Sequence, residues 1–144
     1  MDTVLRSRLE RYFTDYGNAL ASFDAERSAA LWGTPGTIVS DDFVGTVTSR
    51  EEMAAGLQQS YPLYRRLGLG GVRFKIVEVA ELTQRIIRVK VRWLFDGVDG
   101  DLLTDSSYEY LLRDDPDGLH AYVSIGLDDA SKLRELAQRK GVSL

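Results

Sequence analysis

The sequence predicts an α+β protein in which helices lead and a long antiparallel sheet follows. Three observations predict it. Leu5, Leu9, Tyr12, Phe13, Tyr16 and Leu20 recur at steps of three and four, the spacing of one helix face. From Val72 to Leu127 the apolar period shortens to two, the period of a strand. Between these halves, Ser49-Arg50-Glu51-Glu52 reads as a capping box opening a further helix.

Element by element, the first helix is expected over the Leu5–Leu20 stripe. A short second helix starts with Asp24 as its N-cap and runs to about Trp32, where Gly33-Thr34-Pro35-Gly36 stops it. Thr37 to Thr48 reads as a strand pair interrupted by Asp41-Asp42. In the third helix Pro62, lacking an N–H, is expected to kink or end the helix, with Tyr64 in a following turn and Gly68–Gly71 closing the helical half.

The clearest strand is Ile87–Phe95, with apolar residues at odd positions. Pairing Phe95 with Leu102 across the 96–101 loop sets Arg92 against Asp105 and Arg88 against Glu109, as a solvated face should show. The opposite, core face then holds Trp93, Val91, Val89 and Ile87 with Thr104, Ser106, Tyr108 and Tyr110. Asp115-Pro116-Asp117-Gly118 supplies a turn. With a three-residue loop there, Leu112 lies near Tyr122, and His120, Tyr122, Ser124 and Gly126 face inwards. Leu119, Ala121, Val123, Ile125 and Leu127 join Leu111 on the outer face, an apolar row that calls for a partner subunit or the C-terminal helix. That helix is expected over Asp129–Lys140, with Leu133, Leu136 and Ala137 on one side and Gly141 at its end.

Composition narrows the chemistry. At 144 residues, 44% hydrophobic and 28% charged, the chain suits one domain over residues 1–144. Its net charge of −4 argues against a general nucleic-acid binder. There is no cysteine, which removes disulfides, thiol nucleophiles and zinc–thiolate sites, and a single histidine, His120, makes a histidine metal site improbable. No run approaches a membrane span, and charges interrupt the N-terminal segment where a signal peptide would be apolar, so a cytoplasmic protein is expected. Gly68–Gly71 lacks the lysine of a phosphate loop, no Gly-x-Ser-x-Gly elbow occurs, and the Asp96–Asp101 run lacks the glutamate of a calcium loop. No cofactor is implied.

The order helix, helix, strand pair, helix, long antiparallel sheet resembles the nuclear-transport-factor-2-like superfamily, which includes ketosteroid isomerase, scytalone dehydratase, limonene-epoxide hydrolase and the SnoaL-like polyketide cyclases. Three stretches carry the likeness: Tyr16–Asp24 with Leu31-Trp32; Thr37–Asp42 with Gly45 and Ser49–Glu52; and Asp117-Gly118 through Asp128. The resemblance implies a strongly bent sheet wrapped around the N-terminal helices, a cone with a central pocket. By position, Tyr16 is similar to the hydrogen-bond-donating tyrosine of the isomerase pocket, and Ser40 or Asp41 falls where that family keeps its catalytic carboxylate. Two departures stand out. Ser106 or Tyr108 lies where the isomerase has a second carboxylate, and Ser124-Ile125-Gly126 stands where many SnoaL-like members carry His-x-His.

Each candidate has a plain alternative. Tyr16 could stabilise an enolate or simply belong to the apolar helix face. Asp41 could remove a proton beside a carbonyl, or Asp41-Asp42 could simply make the turn. His120 follows a tight turn, where exposure is expected. The pocket is expected to draw on Tyr12, Trp32, Ser40, Tyr61, Trp93, Ser106, Tyr108 and Tyr122 and to take a small apolar or amphipathic molecule. Two readings follow: an isomerase, dehydratase or cyclase acting next to a carbonyl, or a non-catalytic ligand-sensing or dimeric interaction module. A homodimer through the outer sheet face is expected in either case.

Overall fold

In the computed structural model, which describes residues 2–144, the chain runs α1 (Thr3–Ala21), α2 (Ala25–Ala30), β1 (Trp32–Val39), β2 (Val44–Val47), α3 (Arg50–Leu67), β3 (Leu69–Glu81), β4 (Ile86–Gly97), β5 (Leu102–Asp115), β6 (Gly118–Gly126) and α4 (Asp129–Lys140). One six-stranded sheet has the order β2-β1-β6-β5-β4-β3. Its neighbours are antiparallel except β1 and β6, which run parallel.

Helix α1 starts at Asp2, whose carboxylate accepts the Leu5 N–H at 2.7 Å, and buries Leu5, Leu9, Tyr12 and Phe13. Capping of this kind satisfies a backbone donor that the first turn cannot. Phe13 is fully buried, with its ring 5.4 Å from Tyr110, 6.0 Å from Trp93 and 6.1 Å from Phe74. That cluster is the centre of the core, where α1 meets the concave face of β3–β5. Asp24 caps α2 as expected, accepting the Arg27 N–H. The helix ends at Ala30, and β1 begins already at Trp32, so the Gly33–Gly36 stretch is strand with a register shift before Thr37.

Pro62 does not end α3. The helix runs on to Leu67 and stops at Gly68, which takes φ 89° as its left-handed cap. Pro62 and Gln58, whose carbonyl loses its helical donor, are both exposed, so water can serve that carbonyl. Tyr61 and Leu67 stay buried on the opposite face, and that packing carries the helix through the break. Tyr64 therefore sits on the helix, one turn after Tyr61.

The β4–β5 register differs by two residues from the expected one. Phe95 pairs with Thr104 and Arg92 with Ser107, because a bulge follows Phe95. A shift of two keeps every side chain on its face. Arg92–Asp105 and Arg88–Glu109 survive as diagonal ion pairs, and Lys90 stands directly opposite Glu109.

The β5–β6 hairpin corrects the expected faces of the last strand. Asp115 pairs with Gly118, leaving only Pro116-Asp117 as the loop, and a bulge at Tyr122 separates the Leu112–Ala121 and Leu111–Val123 pairs. The two-residue loop reverses the expected faces, and the extra residue restores them beyond it. Leu119 and Ala121, expected outside, are in the core, while His120 and Tyr122, expected inside, lie outside beside Arg113. Beyond the bulge Ser124 and Gly126 point inwards as expected, and Leu111, Val123 and Ile125 remain half-buried on the outer face.

Candidate functional site

Between the concave sheet face and the helices lies a cavity of about 780 Å³. Each wall follows from an element just described. Tyr16 enters from α1, Trp32 from the start of β1, Tyr61 and Tyr64 from α3, Trp93 from β4, and Ser106, Tyr108 and Tyr110 from alternate positions of β5. Helix α4 packs against β5 and α3 and lines one side of the space. Its Leu136 and Ala137 pack on Leu67, Leu63 and Leu103, while Asp129, Lys132 and Leu133 face the space.

The wall is aromatic and largely self-consistent. Tyr16 lies 5.5 Å from Trp93 and 5.8 Å from Tyr110, and Tyr108 stacks on Tyr110 at 6.0 Å. Trp93 Nε1 donates to the Tyr110 hydroxyl at 2.8 Å. Burial pushes the Tyr16 phenol up to about 12, although the Trp32 indole and the Tyr110 hydroxyl pull it part of the way back. Tyr110 is raised well above its ordinary value, first by burial and then by Tyr16 and Tyr108. Tyr108 is raised likewise, by burial and then by the carboxylate of Asp129. Throughout the neutral range these groups are neutral phenols, donors rather than bases.

Among the described residues, two buried polar groups of the wall reach no partner at full hydrogen-bond geometry: Trp32 Nε1, whose neighbour is the Tyr16 hydroxyl, and the Tyr61 hydroxyl, whose neighbour is Ser28. Both residues are 3% exposed. A buried donor without a partner costs about 1–3 kcal/mol, so two in one wall are unusual unless something else satisfies them.

Six of the ten expected site residues line this cavity: Tyr16, Trp32, Tyr61, Trp93, Ser106 and Tyr108. Four do not. Tyr12 is buried beneath the wall, its hydroxyl donating to the Leu31 carbonyl at 2.7 Å. Ser40 sits at the end of β1, closing the β1–β2 turn through backbone bonds with Phe43. Asp41 is exposed in that turn, outside the cavity, as the turn reading of Asp41-Asp42 expects. Tyr122 lies on the outer sheet face, where its hydroxyl donates to Asp115 at 2.7 Å and Arg113 covers its ring. His120, 12% exposed, is held there by Asp115 at 2.9 Å. Asp115, Asp117 and His120 bring ligating atoms within 4.8 Å of one another. Asp115 is already occupied by Arg85, Arg113, Tyr122 and His120, so this cluster fastens the hairpin.

The residue that sequence reasoning missed is Asp129. It faces the cavity from the first turn of α4, with the Tyr108 phenol beside it. Gly126 makes room for it: a Cβ there would stand 2.3 Å from Asp129 Oδ1. The signal was present, because residue 129 falls four before Leu133 and seven before Leu136, a charge on the apolar stripe.

This fold, an open six-stranded sheet with helices on its concave side, defines a protein of the nuclear-transport-factor-2-like cone class. Within that class the chain belongs to the family described as NTF2-like protein (DUF6841), whose model matches residues 6–126. Solved structures agree on the fold. A cystatin-like-fold domain of unknown function from Nostoc punctiforme superposes with TM-score 0.70 at 16% identity, covering 98% of this chain and 94% of that one. The protein Aln2 from a Streptomyces species gives 0.71 at 13% identity, covering 94% and 98%. A ketosteroid isomerase-like protein from Erwinia carotovora atroseptica gives 0.59 at 16% identity, covering 84% and 93%. Identities this low establish the fold alone. A comparison with curated protein sequences gave no match. No described helix is long and apolar enough to cross a membrane.

Proposed function

We propose that the protein binds a small amphipathic molecule inside the cone, one that offers a hydrogen-bond acceptor to Trp32 Nε1 and the Tyr61 hydroxyl. The observation that carries this reading is the pair of polar groups left without a full hydrogen bond in the wall of a largely apolar space of about 780 Å³. A cavity whose polar groups all satisfied one another would give a ligand nothing to orient by.

An enolising reaction beside a carbonyl would use Tyr16 as the donor, since its phenol stays protonated up to about 12. It also needs a base beside the reacting carbon: the exposed Asp41 does not supply one, and the carboxylate that reaches the cavity, Asp129, already accepts from the Tyr108 phenol. Binding is therefore the reading the geometry supports. Calorimetric titration with 4-(1-naphthyloxy)butan-1-ol tests it. Saturable binding that weakens in Trp32→Phe is expected; no heat of binding at any accessible concentration would remove the proposal.

The outer sheet face supports a two-fold homodimer as a second part of the reading. Leu111, Val123 and Ile125 form an apolar strip there, bordered by Thr37 and Val39, the β1 partners of Val123 and Ile125. Val123→Asp is expected to give a folded monomer by light scattering; a monomeric native protein would refute the assignment.

A further inference from the structure

The charges that reach the cavity are not balanced. Three carboxylates line it, from Glu52, Asp105 and Asp129, against one ammonium, from Lys132. The lysine is already committed: its Nζ lies 3.0 Å from Asp105 Oδ1, while the other oxygen of Asp105 holds Arg92. Glu52 is exposed at the rim and accepts from Thr48 at 3.1 Å. Asp129 is different. Among the described residues it forms no ion pair, and its neighbours are the phenols of Tyr108 and Tyr64.

The surrounding surface reinforces that charge. Tyr16, Tyr61, Tyr64, Tyr108, Trp32 and Trp93 present rings, and the faces of such rings attract cations. Among the described residues no arginine enters the wall. A carboxylate or phosphate placed here would meet an unpaired negative charge in a partly desolvated space, which is strongly unfavourable. A protonated amine would find a carboxylate to pair with and aromatic faces to lie against.

We infer that Asp129 sets the charge class of the ligand, so that the cone selects an amphipathic amine, its ammonium on Asp129, its acceptor towards Trp32 and Tyr61, and its apolar body among the aromatic rings. This rests on the cavity being a binding site, as proposed above. Gly126 is part of the device, because its missing side chain leaves the space in which the carboxylate lies. A methyl at residue 126 would contact the end of a flexible side chain rather than backbone, so it would displace Asp129 without disturbing β6.

Three matched probes, each with an ether oxygen as acceptor, test the inference by calorimetry: 4-(1-naphthyloxy)butylamine, 4-(1-naphthyloxy)butan-1-ol and 4-(1-naphthyloxy)butanoate. The amine should bind roughly ten- to hundredfold tighter than the alcohol, the range of a charge-assisted hydrogen bond, and the carboxylate weakest of all. In Asp129→Asn the preference for the amine should vanish while the alcohol binds as before. Gly126→Ala should reduce the same preference, with the alcohol again reporting that the cavity is intact. Equal binding of amine and alcohol, a carboxylate preference, or an amine preference that survives Asp129→Asn would each overturn the inference and leave the binding reading standing. Failure of all three probes to bind the native protein would overturn both.

Discussion

Alkali acts on this protein through its tyrosines. All seven phenols are held above the ordinary value of 10.0, in every case first because burial disfavours the phenolate. A group whose pKa is raised in the folded state contributes stability that is complete below its unfolded pKa. That contribution is lost as the pH rises through the folded value. Tyr16, raised from 10.0 to about 12, thus removes stability between those two pH values. With each unit of pKa worth roughly 1.4 kcal/mol, the loss is on the order of 3 kcal/mol at most, less to the extent that water enters the cavity. Tyr12, Tyr108 and Tyr110 act in the same direction. Against a net stability of about 5–15 kcal/mol, the sum should unfold the protein before its buried phenols ionise. Tyrosinate absorbance and far-ultraviolet circular dichroism, followed on the same samples, test this. The phenolate signal of the four core tyrosines should rise only with the loss of secondary structure. Four or more phenolates near pH 10 with the dichroism unchanged would refute the burial argument and, with it, the dry aromatic wall.

Other expectations are simpler. Phe13→Ala should cost roughly 3–5 kcal/mol in denaturant unfolding, because it empties the contact between α1 and three aromatic residues of the sheet; a cost below 1 kcal/mol would place the core elsewhere. Tyr61→Phe should leave stability unchanged or raise it by up to about 1 kcal/mol, since it removes a buried hydroxyl that reaches Ser28 only at poor hydrogen-bond geometry. A clear loss would mean that the hydroxyl is bonded. In acid, Asp114 is held below the usual carboxylate range by its paired hydrogen bonds from Arg8, at 2.7 and 2.8 Å. Burial pushes Asp115 up, but Tyr122, Arg113 and His120 hold it low on balance. Their stabilisation is present above the ordinary value of about 3.9 and is lost as the pH falls through the depressed values. Arg8→Gln should therefore move the acid transition upwards and cost about 1 kcal/mol near neutrality, the exposed side of the pair limiting its worth. An unchanged acid midpoint would refute that coupling.

Local rules were enough for much of this protein. The α1 stripe, the caps at Asp24 and Ser49, the β1–β2 turn and the two faces of β4 and β5 all depend on neighbours within a few residues. Side-chain period and capping chemistry are legible at that range. Even the wrong β4–β5 register left the faces right, because its error was an even number of residues. Pro62 misled for a related reason: its local penalty is real, but its cost is small where the freed carbonyl meets water and the opposite helix face is buried.

What the tertiary structure alone decided was where alternation breaks and what meets across the cone. The two-residue loop sends Leu119 and Ala121 inside and His120 outside, and one bulged residue, Tyr122, restores the expected faces beyond it. A bulge costs little locally and is selected by the packing on both sides, so no short window of sequence announces it. The same holds for Asp129. In the chain it is one acid at a helix start; in the fold, α4 packs against β5 and brings it to Tyr108, within space left by Gly126. The apolar period determined that the helix would pack by that face. Only the packing of the sheet against α1 determined what that face would meet, because contacts between residues distant in sequence depend on the summed geometry of every strand between them.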